Sequence, residues 1–184
     1  SGKDTEFNTV NGDYRRIGAK YELLEEAHLD ISVWLKFLIS EGYENIVLQG
    51  HSLGTMKVVR YLFEGEYKDK VNKLILLCPF DKKGLMKVSE REDLEKLLAM
   101  ATDKVNEGKG EEIVTKEFED IELSYNSFIS WYKQDSLGRM FEFSAPNYDF
   151  PTLKGITIPT KIIVGSKDEY FYVTEPENPE KAMN

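Results

Sequence analysis

The chain has 184 residues, with 24 Lys and Arg against 33 Asp and Glu and a net charge of −9. That is about one domain's worth of chain. Its acidity gives no long-range attraction for phosphate backbones or anionic lipid, which argues against nucleic-acid and membrane-surface binding. An apolar share of 41% with 31% charged residues is a globular balance, too apolar for the disordered class.

No apolar run approaches the roughly 20 residues needed to span a bilayer, and the first residues, Ser1-Gly2-Lys3-Asp4, have no signal-peptide core. Ser1-Gly2 without an initiating Met reads as a cleavage scar, so the natural N-terminus is expected to lie elsewhere. Cys78 is the one cysteine. It excludes an intrachain disulfide and a Cys-rich metal site, and it points to a reducing, cytoplasmic setting. His28 and His51 are the two histidines available for imidazole chemistry.

Over residues 21–42, Leu24, Ala27, Ile31, Trp34, Leu35 and Leu38 recur at helical spacing, with Gly42 placed for a C-terminal cap. Asn45-Ile46-Val47-Leu48-Gln49 then reads as a strand, and Met56, Val59, Leu62 and Phe63 as the apolar face of a second helix. Residues 71–77 contain the apolar run Leu74-Ile75-Leu76-Leu77, suited to a parallel strand buried on both faces and ended by Pro79.

Residues 84–150 read as a helical insertion. Ser89-Glu90-Arg91-Glu92 has the capping-box pattern ahead of Leu94, Leu97, Leu98 and Met100, and residues 104–112 read as a polar, mobile connection. Aromatic residues follow: Phe118, Tyr125, Phe128, Trp131, Tyr132, Phe141, Phe143, Tyr148 and Phe150. Ile158-Pro159-Thr160-Lys161-Ile162-Ile163-Val164-Gly165 restores the strand pattern, with proline at its start.

Strands alternating with helices predict an α/β fold. Its parallel sheet is flanked by helices, with residues 1–83 and 151–184 forming the core and the aromatic segment a lid.

Gly50-His51-Ser52-Leu53-Gly54 matches G-x-S-x-G between a predicted strand and a predicted helix. A strand turning sharply into a helix strains its central residue, and Gly50 and Gly54 are expected to remove side chains that would collide there. Ser52 is thereby pushed out at the carboxyl edge of the sheet. The helix N-terminus beside it offers unpaired N–H groups, with Leu53 N–H the first oxyanion donor. The alternative is a serine that simply caps a helix in a glycine-rich turn.

On these residues the chain resembles the α/β-hydrolase fold serine hydrolases, in particular small esterase and lipase-like members with a GHSLG elbow, a helical lid and a Gly-x-x-Asp acid turn. The likeness runs over about residues 7–171. The resemblance implies Ser52 as the nucleophile that forms an acyl-enzyme. It implies Asp168, in Val164-Gly165-Ser166-Lys167-Asp168, as the acid, with Asp81 after the preceding strand as the alternative acid. A solvated turn carboxylate beside Lys167 and Glu169 is the plainer reading of Asp168.

The family's base would follow the acid by about 20 to 35 residues, and no histidine lies between Asp168 and Asn184. His51 is expected to be aimed away from Ser52, and His28 to be an ordinary helix residue. The early strands of the fold, which carry the second oxyanion donor, have no counterpart upstream of Tyr21. The Arg-Gly or Gly-His pair that relatives often carry is also absent from Phe7-Asn8-Thr9-Val10-Asn11-Gly12-Asp13-Tyr14. The expectation is therefore the central portion of a larger hydrolase, inactive by itself.

The implied substrate is a small ester, thioester or amide with an apolar acyl or aryl part, and no metal or organic cofactor is implied. The oligomeric state is left open. An acyltransferase using the same residues and a catalytically silent binding or scaffold protein are the alternatives.

Overall fold

The computed structural model describes residues 5–86, 88–114, 122–135, 137–145 and 147–168. The expectations placed on Ser1-Gly2, Phe118, Glu169 and Phe171, and on the side chains of Ser89 and Glu92, fall outside the described set. The chain divides into two compact units, Ser1–Glu25 with Val88–Lys133 and Glu26–Lys87 with Gln134–Asn184.

The second unit holds the α/β arrangement. Helix α1 (Ala27–Ser40), strand β3 (Ile46–His51), helix α2 (Leu53–Glu64), strand β4 (Val71–Leu77), helix α5 (Pro151–Lys154) and strand β5 (Thr160–Ile163) follow in chain order. The three strands form one parallel sheet in the order β3-β4-β5. Leu35 of α1, Ile46 of β3, Tyr61 of α2 and Val71 of β4 form its buried cluster, joined by Ile31, Leu38, Leu48 and Ile158. Burying such side chains is the main stabilising term, about 1.5–3 kcal/mol for each large apolar residue.

Helix α1 is shorter than its apolar pattern. It starts only at Ala27, after a 3-10 turn over Leu24–Glu26. It ends as expected: Gly42 takes φ +83, and the N–H groups of Gly42 and Tyr43 return to the carbonyls of Ile39 and Leu38. Trp34, expected in the core, is 68% exposed and stacks edge-on against the exposed Phe37. Strand β4 is also less enclosed than its composition suggests. Leu74 and Leu76 are buried, Ile75 and Leu77 only partly so, and Val47 and Ile163 on the flanking strands are exposed.

The first unit contains an element that the sequence reading did not place: an antiparallel hairpin of β1 (Thr5–Asn8) and β2 (Tyr14–Ile17), a sheet separate from the parallel one. Asn11-Gly12 was the available signal. Gly12 takes φ +85 and its N–H returns to Thr9.

Helices α3 (Val88–Asn106) and α4 (Tyr125–Tyr132) pack together in the same unit. The 104–112 segment, expected to be a mobile connection, is a hydrogen-bonded helix end. Gly108 at φ +79 lets the N–H groups of Gly108 and Lys109 reach the carbonyls of Val105 and Lys104, while Asn126 N–H closes onto Gly110. Ser124 caps α4 by accepting from Ser127 N–H. Glu25 binds both Ser130 Oγ and Lys133 Nζ.

Of residues 84–150, 88–133 thus belong to the first unit and 84–87 and 134–150 to the second. Aromatic pairs form within each. Phe128 meets Tyr132 at 5.0 Å in the first; Phe143 lies 5.9 Å from both Phe141 and Phe150 in the second.

Candidate functional site

Parallel strands place all their carboxyl ends on one edge, and here the register makes that edge a row. His51, Leu77 and Ile163 are paired across β3, β4 and β5. The row continues one residue further, because Ser52 N–H donates to Leu77 O at 3.0 Å and Cys78 N–H donates to Ile163 O at 2.8 Å. The next turn, 165–168, is closed by Asp168 N–H on Gly165 O at 3.0 Å. Ser52 and the 165–168 turn therefore follow strands β3 and β5 that end on the same edge, two strand spacings or about 10 Å apart.

Ser52 has φ 53 and ψ −123, a region that residues with a Cβ seldom enter, and it immediately precedes α2. Its carbonyl accepts from both Thr55 N–H at 2.9 Å and Thr55 Oγ1 at 2.6 Å, which pins the turn to a fully buried side chain. Although Ser52 stands at the N-cap position, its hydroxyl makes no capping bond, and the residue is exposed. Leu53, the first helical residue, has an N–H with no intrahelical acceptor.

The two glycines of the motif are not equivalent. A Cβ on Gly50 would lie 2.3 Å from Gly54 O and 2.7 Å from Thr55 N, so only glycine fits. A Cβ on Gly54 would meet nothing within 4 Å. The expectation that both glycines relieve collisions is corrected: α2 starts so close behind the strand that its backbone fills the space over Gly50, whereas Gly54 faces open space.

Asp81 is used differently. It is 1% exposed, accepts Gly84 N–H at 2.8 Å on Oδ1 and Ser144 N–H at 2.6 Å on Oδ2, and so ties residues 81–84 to the 139–145 segment. Burial raises its pKa above the ordinary carboxylate value, against the lowering effect of those two N–H groups. Nearby Glu142 is buried and paired with Lys83 at 2.9 Å and with Arg139. Asp168, by contrast, is only partly buried at the open edge. His51 is exposed at the end of β3, and His28 is partly buried in α1.

Cys78, taken from the sequence only as a sign of compartment, proves to be part of this edge. Its N–H donates to Ile163 O at 2.8 Å, and its thiol pKa is raised, with the Asp168 carboxylate as the first cause. The position directly after the middle strand, before Pro79, was the available signal. Among the described residues no group of three His, Cys, Asp or Glu side chains is gathered closely enough to hold a metal ion. No described helix is long and apolar enough to cross a membrane.

Residues 22–150 match the family described as "Protein of unknown function (DUF1749)", and the chain belongs to that family. No curated protein and no solved structure matches it.

Proposed function

We propose that the chain carries the nucleophile and acid of a serine hydrolase of the α/β-hydrolase type. Ser52 attacks an ester, thioester or amide carbonyl, Leu53 N–H receives the developing oxyanion, and Asp168 orients the base. The observation that carries the reading is the backbone of Ser52. Ser52 is a strained, exposed residue at a strand end, with its hydroxyl unused for capping.

The attack forms a bond from Ser52 Oγ to the carbonyl carbon and passes the hydroxyl proton to the base. The tetrahedral intermediate expels the alcohol, thiol or amine with that proton, and water then releases the acid from the acyl-enzyme. Asp168 stabilises the imidazolium between these steps without itself taking the proton. No histidine lies between Asp168 and Asn184, and this reading assigns the base to no residue. A helical lid over residues 84–150 and a preference for apolar acyl or aryl groups belong to the same proposal. Acyl transfer to an alcohol or amine would use the same residues.

The test is labelling of the protein, as the cell makes it, with a fluorophosphonate probe, followed by hydrolysis of a p-nitrophenyl ester series from acetate to octanoate. Wild type is expected to label stoichiometrically, Ser52→Ala not at all, and His51→Ala at the wild-type rate. Absence of labelling in the wild type overturns catalysis and leaves a binding or scaffold protein built on the same turn.

A further inference from the structure

We infer that Thr55 is a positioning residue for the Leu53 N–H: by holding the Ser52 carbonyl it aims the oxyanion donor and keeps the Ser52 hydroxyl out of the helix cap. The inference rests on the reading of Ser52 as nucleophile and of Leu53 N–H as oxyanion donor.

The link is one peptide plane. The Ser52–Leu53 peptide is trans, so the Ser52 carbonyl and the Leu53 N–H point in opposite directions. Whatever fixes the carbonyl fixes the N–H. Two donors of Thr55 hold it, the N–H at 2.9 Å and Oγ1 at 2.6 Å. The second lies at the short end of the range for a hydroxyl donor, and Thr55 is 0% exposed, so water does not compete for it. Thr55 is itself held in place by the end of β3, because a Cβ on Gly50 would lie 2.7 Å from Thr55 N.

The usual helix start is inverted here. A serine at the N-cap ordinarily accepts the N–H of the second or third helical residue on its hydroxyl. Thr55, the third, instead gives that N–H to the Ser52 carbonyl and adds its own hydroxyl, and the Ser52 hydroxyl makes no cap bond. The N–H of Ser52 is committed as well, to Leu77 O at 3.0 Å. A residue at φ 53 and ψ −123 persists only where its contacts over-determine it. Rotation in ψ is the motion that swings the Ser52–Leu53 peptide, and Thr55 Oγ1 opposes it directly. An oxyanion donor acts through its direction toward the place where the charge develops, so a peptide that rocks loses part of its effect.

The test uses the protein as the cell makes it. Values of kcat/KM are measured for p-nitrophenyl acetate and for its thionoester, in which sulfur, a weak hydrogen-bond acceptor, replaces the carbonyl oxygen. The quotient of the two values reads the oxyanion donor and does not depend on how much of a variant folds. Thr55→Val, which keeps the shape and removes the hydroxyl, is expected to lower the ester value about 3- to 10-fold and to change the thionoester value less than about 2-fold, so that the quotient shrinks. Thr55→Ala should shrink it too, and Thr55→Ser, which keeps the donor, should restore it.

Equal losses on both substrates overturn the positioning role in favour of packing. Wild-type values in Thr55→Val beside an inactive Ser52→Ala overturn the role and leave the nucleophile standing. Full ester hydrolysis in Ser52→Ala, or none in the wild type, sinks the underlying reading, and the positioning role with it.

Discussion

The amide of Ser52 donates a 3.0 Å hydrogen bond to the carbonyl of Leu77, the last residue of the neighbouring strand. The β3–β4 ladder thus runs one residue past β3, and the chain must reverse into α2 immediately afterwards. All the turning falls on Ser52, whose φ of 53 records it.

That strain is measurable. Ser52→Gly relieves a backbone conformation worth about 1–3 kcal/mol, offset by about 0.5–1 kcal/mol of glycine entropy. Ser52→Gly is expected to unfold at higher denaturant than Ser52→Ala, which keeps the Cβ. Equal midpoints would show that the conformation is not strained.

The two motif glycines should separate. Gly50→Ala forces a Cβ to within 2.3 Å of the Gly54 carbonyl oxygen, where only backbone can give way, and is expected to destabilise by about 3 kcal/mol or more, in the range of severe packing and strain defects. Gly54→Ala meets nothing within 4 Å and lies in the first turn of α2, where alanine's helix propensity favours it by up to about 1 kcal/mol. Thermal unfolding of the two variants checks the contrast, and a matched loss in both would remove it.

Asp81 predicts a pH dependence of stability. Its folded-state pKa is raised, so the folded chain binds the proton more tightly than the unfolded chain. Its contribution is then fully present below the ordinary carboxylate pKa of about 3.9 and is lost as pH rises through the folded value. Asp81→Asn should remove that part of the slope in denaturant melts between pH 4 and 7. It should also lower stability at every pH by about 1–3 kcal/mol, because an amide has one acceptor oxygen for two buried N–H donors. A variant whose pH slope matches the wild type would place the titration elsewhere.

The Schellman end of α3 gives a structural control within the first unit. Gly108 takes φ +79, so Gly108→Ala should destabilise by about 1 kcal/mol although its Cβ meets nothing within 4 Å. An unaffected melting temperature would contradict the left-handed cap.

The order of strand and helix around Gly50-His51-Ser52-Leu53-Gly54, the parallel strands, and the glycine end of α1 were legible in the sequence. Each is dictated locally, by side-chain periodicity or by a residue that alone tolerates the required dihedral. The positions of Ser52 after β3 and of Asp168 after β5 were likewise legible as residue order. Tertiary structure decided the rest.

Trp34 fits the helical stripe yet lies outside, because a period places a residue on a face but cannot say how wide a face its neighbours cover. Asp81 and Asp168 both follow strands in the sequence. One is enclosed by N–H groups arriving from residues 84 and 144 and the other stands at the open edge, a difference made by chain more than 60 positions away. Gly54 was indistinguishable from Gly50 until the path of α2 showed which of them its backbone crosses. Cys78 could be counted but not located: its N–H meets Ile163 O only because β4 and β5 pair in register across the intervening residues 78–159, a contact of backbone hydrogen bonding that no local pattern encodes.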